Sequence, residues 1–429
     1  MLSVRRGCSC HLKNKTLQGR HDLTFNIFRI MTRKKLFTLF IYVSFALMGL
    51  TGCNDEAFDI DSVNKQTLLI MYPWSGTENS AGLYSDMVNN LNQIENAIKK
   101  NKGLKSTRVF VFMSTSATES SLFELTYNSS TFTVEHQILE NYTGTAYTTT
   151  EGLTDIIGEV KQQAEALNYA LIIGGHGTGW NNISDWTDYP NQAKRKAALK
   201  TRSFGGLDNT YAINVSSLAQ AIETNGIKMQ YILFDACYMS NVETAYELKD
   251  ATNFLLASPN EIMAKGLPYE DIWSYLNTTT PNYASIISSY CSHYNSTSTP
   301  YASLAAIDCR QMDKLAAIMK ELNSKYTITT ERLAGVQTED GYTPNLYYDL
   351  GNYVDSLKPN ASMKDQFATQ LKATVKAAQS TAEVYSNINA TTITVKDFSG
   401  LTISDPSSHP VALRTKKQTK WWKATHEGE

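Results

Sequence analysis

Two residues of this 429-residue chain, His176 and Cys237, stand where side-chain chemistry is easily done. Each follows an apolar run. Ala170-Leu171-Ile172-Ile173 leads through Gly174-Gly175 into His176-Gly177-Thr178-Gly179-Trp180, and Tyr231-Ile232-Leu233-Phe234 leads through Asp235-Ala236 into Cys237-Tyr238-Met239-Ser240. A thiol attacks an amide at neutral pH with less help than other side chains need. An imidazole beside it would bias the thiol toward its ionised form and protonate the leaving amine. The glycines around His176 let a backbone approach closely, and the amides of Gly177 and Cys237 are candidates to hold an oxyanion. A helix over 241–248 would turn its positive end toward a thiolate. Taken singly, the cysteine reads as a small buried hydrophobe and the histidine as a loop residue. Their shared placement at the ends of two strands is what points to chemistry.

The elements that must position them follow from the apolar pattern. Strands are expected at 67–72, 108–113, 169–173, 231–234, 254–257 and 304–307, mostly unbroken Val/Ile/Leu/Phe runs, as strands buried on both faces require. Helices are expected between them, near 82–100, 152–167, 215–225, 241–249, 282–294 and 310–325. Such alternation predicts an α/β fold, a mostly parallel sheet flanked by helices on both faces. Ligands gather outside the carboxyl ends of such strands, and the 61 positions from His176 to Cys237 leave room for a loop, a helix and a return strand. Segments 122–127 and 131–136 suggest a small β-hairpin insertion, 345–382 reads as one or two helices, and 400–404 as a last strand. The polar stretch 180–214 carries Lys194, Arg195, Lys196, Lys200 and Arg202, a length usually kept for function or mobility. The tail with Trp421-Trp422 is expected to dock onto the domain.

The first residues read as targeting, not fold. Met31 opens a bacterial lipoprotein signal, with Arg33-Lys34-Lys35, an apolar run over 36–50 and Leu50-Thr51-Gly52-Cys53, where Cys53 would take the lipid. The run is short for a membrane span and ends in a cleavage-type site. Residues 1–30 are then an upstream extension, 31–52 the signal, 53–65 a tether and 66–429 the folded domain. Removing 1–52 leaves 30 basic against 40 acidic residues, which argues against a nucleic-acid partner. The acidic Asn54-Asp55-Glu56 is similar to surface-export tethers, so the expected location is the envelope, at the outer membrane and facing outward. Once Cys53 is lipidated, Cys237, Cys291 and Cys309 remain, an odd number that leaves a thiol free or an intermolecular bond. The sequence leaves a Cys291–Cys309 disulfide open.

Gly175-His176-Gly177 after one strand and Asp235-Ala236-Cys237 after another, with Met239 and Val242-Glu243 following, resemble the clostripain family of the caspase-like clan. The resemblance continues through Ala257-Ser258-Pro259-Asn260-Glu261, Gly266-Leu267-Pro268-Tyr269, Tyr348-Asp349-Leu350 and Ser399-Gly400-Leu401-Thr402-Ile403, covering nearly everything from residue 66 onward. It implies a caspase-like sheet, a His176/Cys237 dyad with no third member, and endopeptidase activity, commonly after Arg or Lys. It also implies activation by cleavage between the two residues, where the 194–202 basic loop lies. The family's acidic pocket is matched by Asp235, but the place before Gly266 holds Lys265. A lysine there would disfavour a guanidinium, leaving basic, acidic and small uncharged preferences open. Some relatives need calcium; no EF-hand-like loop supports it here, and no cofactor is expected.

Other classes fit poorly. There is no HExxH and no metal-ligand histidine spacing, Trp180 replaces the third glycine of a dinucleotide fingerprint, and no GxSxG occurs. The serious alternative is a catalytically silent envelope lipoprotein that keeps the fold to bind protein or peptide. Retention of both His176 and Cys237 speaks against it. The expected partners are a protein or peptide substrate and the membrane, with the chain otherwise monomeric.

Overall fold

The computed structural model describes residues 64–182 and 204–426. The expected extension, signal, Cys53 and most of the tether lie outside the described residues, as do Lys194, Arg195, Lys196, Lys200 and Arg202. The strands, in chain order, are β1 (Gln66–Tyr72), β2 (Thr107–Ser114), β3 (Glu119–Asn128), β4 (Thr133–Thr143) and β5 (Asn168–Gly174). Then come the short β6 (Phe204–Gly205) and β7 (Ala212–Ile213), followed by β8 (Met229–Asp235), β9 (Thr252–Ala257) and β10 (Ser303–Asp308). Last are β11 (Tyr348–Asp349), β12 (Val375–Ser380), β13 (Glu383–Ser386), β14 (Thr391–Thr394) and β15 (Thr402–Ile403).

One 9-stranded sheet runs in the order β12-β10-β9-β8-β5-β1-β2-β3-β4. Its centre, from β9 to β2, is parallel, while both margins are antiparallel. Successive residues of the central strands enter opposite cores: Leu69, Met71, Leu171, Ile173, Ile232 and Phe234 face one, and Leu68, Ile70, Ala170, Ile172, Tyr231 and Leu233 the other. This two-sided burial is why the runs lack polar alternation. Helices Tyr84–Lys100, Tyr269–Leu276 and Tyr283–Asn295 cover the second face. The first is covered by Thr150–Gln163, Val215–Thr224, Val242–Glu247, Met312–Lys325, Leu350–Leu357 and Ala361–Thr374. Among the described residues no helix is long and apolar enough to cross a membrane.

Several expectations change. The expected hairpin forms as β3 and β4, but it continues the central sheet through β2. The strand at 304–307 runs antiparallel to β9. Residues 375–380, read as helix, form β12 against β10, because an open sheet edge outweighs the helix propensity of Lys376-Ala377-Ala378-Gln379. Helix Tyr269–Leu276 was not anticipated, although Tyr269, Ile272, Trp273 and Leu276 have helical spacing and are all buried. Cys291 and Cys309 are free and belong to the cores on opposite faces of the sheet, so a disulfide between them is not formed.

The tail docks as expected. Helix Lys420–Thr425 packs on Met312–Lys325 and on Val242–Glu247, the helix that follows Cys237. Trp421 is fully buried and meets Tyr246 edge-on at 5.9 Å between ring centroids. Trp421→Ala is therefore expected to cost about 3–5 kcal/mol of stability, read as a lower midpoint in urea. A loss under about 1 kcal/mol would mean that the tail is not part of the core.

Candidate active site

The site is built where β5 and β8 end. Their parallel register closes on Gly174 opposite Asp235, and the Gly175 amide donates to the Asp235 carbonyl at 3.2 Å. His176 and Cys237 each stand two positions beyond that pair. Gly177 allows the two ends to touch: a Cβ there would lie 2.2 Å from the Cys237 carbonyl oxygen and 2.7 Å from its nitrogen. His176 is pinned by a two-way backbone bridge to Gly205, both bonds at 3.1 Å.

After Cys237 the chain turns sharply, with Tyr238 at φ 60°, a left-handed conformation uncommon for an aromatic residue. Tyr238 is held there from all sides. Its amide donates to the Asn260 carbonyl at 3.0 Å, its hydroxyl donates to Glu261 Oε1 at 2.7 Å, and its ring stacks on Tyr347 at 5.3 Å. This over-determined turn fixes Cys237 at the edge of the cleft.

Electrostatically the pair rests neutral. Burial lowers His176 to about 4, against a backbone hydrogen bond to Ser75 that favours the charged ring. Among the described residues His176 Nε2 has no hydrogen-bond partner. Burial, then the Glu261 carboxylate, pushes the Cys237 thiol up to about 12, although the residue is still partly open to the cleft. The Ile262 amide donates to Cys237 Sγ at 3.3 Å, and the Gly177 amide also acts on the thiol, both favouring the thiolate. The expected helix contributes little: it is Val242–Glu247, and Asn241 caps it by accepting from the Thr244 amide at 2.7 Å. Burial outweighs those donors in the resting state.

Beside the pair opens a cleft of about 260 Å³, lined by His176, Cys237, Asp235, Glu261, Asp86 and Tyr385 among others. Asp235 lies at its buried floor. Its Oδ2 accepts from the Leu267 amide at 3.2 Å, the Tyr269 hydroxyl at 3.0 Å and Asn90 Nδ2 at 3.5 Å. Its Oδ1 has no partner among the described residues, and burial raises the carboxyl to about 6. Gly266 must be glycine: its φ is +69°, and a Cβ would fall 2.5 Å from Asp235 Oδ2.

The structure thus brings His176, Gly177, Asp235 and Cys237 together. Lys265 is exposed and outside the cleft lining, and its charge acts on Asp86. Sequence reasoning missed two carboxylates. Glu261 stands within a quoted motif but received no role; it also accepts from Ser386 Oγ and the Asn387 amide, both at 2.9 Å, fastening the β13–β14 hairpin beside the cleft. Asp86 comes from a distant helix and has no local signal. Among the described residues no group of three or more His, Cys, Asp or Glu is placed to hold a metal ion.

Comparison with known proteins identifies the family of the chain. A family model described as the clostripain family matches residues 74–407. The secreted C11 cysteine protease "iotapain" of Bacteroides thetaiotaomicron is similar at 40% identity and TM-score 0.77, over 85% of this chain and 99% of that one. A Bacteroides thetaiotaomicron clostripain in complex with the peptide inhibitor BTN-VLTK-AOMK is similar at 42% identity and TM-score 0.50, over 52% of this chain and 98% of that one. An inactive zymogen C11 protease from Parabacteroides distasonis shares the fold at 24% identity and TM-score 0.70, over 85% of this chain and 99% of that one. No curated protein matches. With the family model spanning most of the chain and a solved relative matched over nearly its whole length, the chain belongs to the clostripain family and is a cysteine endopeptidase.

Proposed function

We propose that Cys237 is the nucleophile and His176 the acid–base partner of an endopeptidase tethered to the outer envelope by lipid on Cys53. The observation that carries the reading is their juxtaposition at the ends of adjacent parallel strands, with His176 Nε2 unpartnered beside the thiol's cleft. Because both groups rest neutral, proton transfer accompanies attack. Sγ bonds to the substrate carbonyl carbon as its proton passes to Nε2, and the carbonyl oxygen takes the negative charge toward the Gly177 and Cys237 amides. The imidazolium then gives its proton to the departing amine as the C–N bond breaks. Water, deprotonated by His176, cleaves the thioester and restores the thiol. No cofactor enters this scheme, and the enzyme acts as a monomer.

The cleft's charges support a basic residue before the cut. Asp86, Asp235 and Glu261 line it, and no Lys or Arg does so among the described residues. The inhibitor bound by the 42% identical relative carries the peptide VLTK, ending in lysine. A basic preference in turn fits self-processing in the 194–202 loop, at Lys194, Arg195, Lys196, Lys200 or Arg202. The described chain leaves at Asn182 and returns at Phe204, next to the Gly205 that bridges His176. The lipid anchor rests on Leu50-Thr51-Gly52-Cys53 and its preceding apolar run.

The chain and its Cys237→Ala and His176→Ala variants, followed on a gel and with a fluorogenic peptide library, test this. Only the parent is expected to cut itself and the library, with each variant at least about 10³-fold slower. A parent that stays silent even after its 190s loop is nicked in trans would favour the peptide-binding alternative. The resting state gives a separate test. In the uncleaved chain, alkylation of Cys237 by iodoacetamide should climb steadily from pH 7 to pH 9, about tenfold per unit, because the thiol titrates far above that range. A rate already flat by pH 8 would show a preformed thiolate–imidazolium pair instead.

A further inference from the structure

The deep carboxylate of the cleft is only half available. Asp235 Oδ2 is already engaged by Leu267, Tyr269 and Asn90, which leaves Oδ1 for an incoming side chain. The cleft wall above it is one face of helix Tyr84–Lys100, which with its preceding residue presents Leu83, Asp86, Met87 and Asn90, spaced as neighbours on a helix surface. Asn90 touches Asp235, so Asp86, four residues earlier, stands about one turn nearer the helix start, about 6 Å along the axis. Both carboxylates also act on Tyr294, whose hydroxyl donates to the Gly266 carbonyl at 2.7 Å in the turn that closes the cleft. Asp86 is half-buried, and the charge that offsets it is Lys265, from the exposed side of that same turn.

We infer that Asp86 is a specificity-determining residue, a second carboxylate that grips a basic side chain before the cut, with Lys265 as the counter-charge that limits that grip. The inference rests on the peptidase reading above and adds to it a residue and a direction. A guanidinium, with donors on several nitrogens, spans Asp86 and the free Oδ1 of Asp235 at once, whereas an ammonium is a single point charge. Asp86 therefore favours arginine over lysine. Lys265, exposed and flexible, competes for Asp86 without entering the cleft.

The test compares kcat/KM of the full chain and its Asp86→Asn and Lys265→Gln variants on peptides differing only in arginine, lysine or glutamine before the cut. In D86N the arginine-to-glutamine ratio is expected to fall at least about tenfold, mainly through KM, with the lysine ratio falling less. In K265Q the arginine ratio is expected to rise about threefold, a change in the opposite direction that no loss of folding would produce. A parent that prefers basic residues while both variants keep its ratios would overturn the role of Asp86 and leave the peptidase reading intact. A parent that cuts peptides with no basic preference overturns the two-carboxylate grip. One that cuts nothing removes the reading on which it rests.

Discussion

The parallel pairing of β5 with β8 is the constraint on which the rest depends. It ends at Gly174 and Asp235, and His176 and Cys237 each follow two residues beyond that point. Two-sided burial fixes the register, since a slip of one residue would move Leu171, Ile173, Ile232 and Phe234 into the opposite core. The glycines at 177 and 266 then let backbone and carboxylate approach where any side chain would collide. Tyr238, held left-handed by Glu261, Asn260 and Tyr347, ends the strand abruptly and leaves Cys237 on the cleft side.

Burial that stabilises this arrangement also sets its chemistry. The same enclosure lowers His176, raises the Cys237 thiol and raises Asp235. On the proposed assignment, a neutral thiol–imidazole pair would hold little thiolate at rest. Glu261 links the two levels. Its carboxylate disfavours the thiolate, while its hydrogen bonds fasten both the turn after Cys237 and the β13–β14 hairpin that supplies Tyr385 and Asn387 to the cleft.

Much of this was legible in the sequence because its signals are local. Unbroken apolar runs mark the buried strands, and the residues that end two of them, His176, Asp235 and Cys237, are read directly from the chain. The failures are non-local or ambiguous. β12 has a helix-former composition and becomes a strand only because β10 offers it an edge. Helix Tyr269–Leu276 carried a readable period but is short and aromatic, and follows a proline. Asp86 is invisible from sequence: it looks like any acidic residue in a first helical turn, and only packing of that helix over the sheet brings it to Asp235's side of the cleft. Lys265 was read by position in a motif, whereas its backbone turn carries the side chain outside the lining.

The central claim is that one cleft, at the end of β5 and β8, holds the nucleophile. Peptide mass mapping of the chain after reaction with an arginine-ended peptidyl chloromethyl ketone, whose chloride leaves as the sulfur bonds to the methylene carbon, tests it most directly. The account predicts one adduct, on the sulfur of Cys237, with the buried thiols Cys291 and Cys309 untouched and the adduct lost in Asp235→Asn. An adduct on either buried cysteine, or unchanged labelling of Cys237 without Asp235, would contradict it.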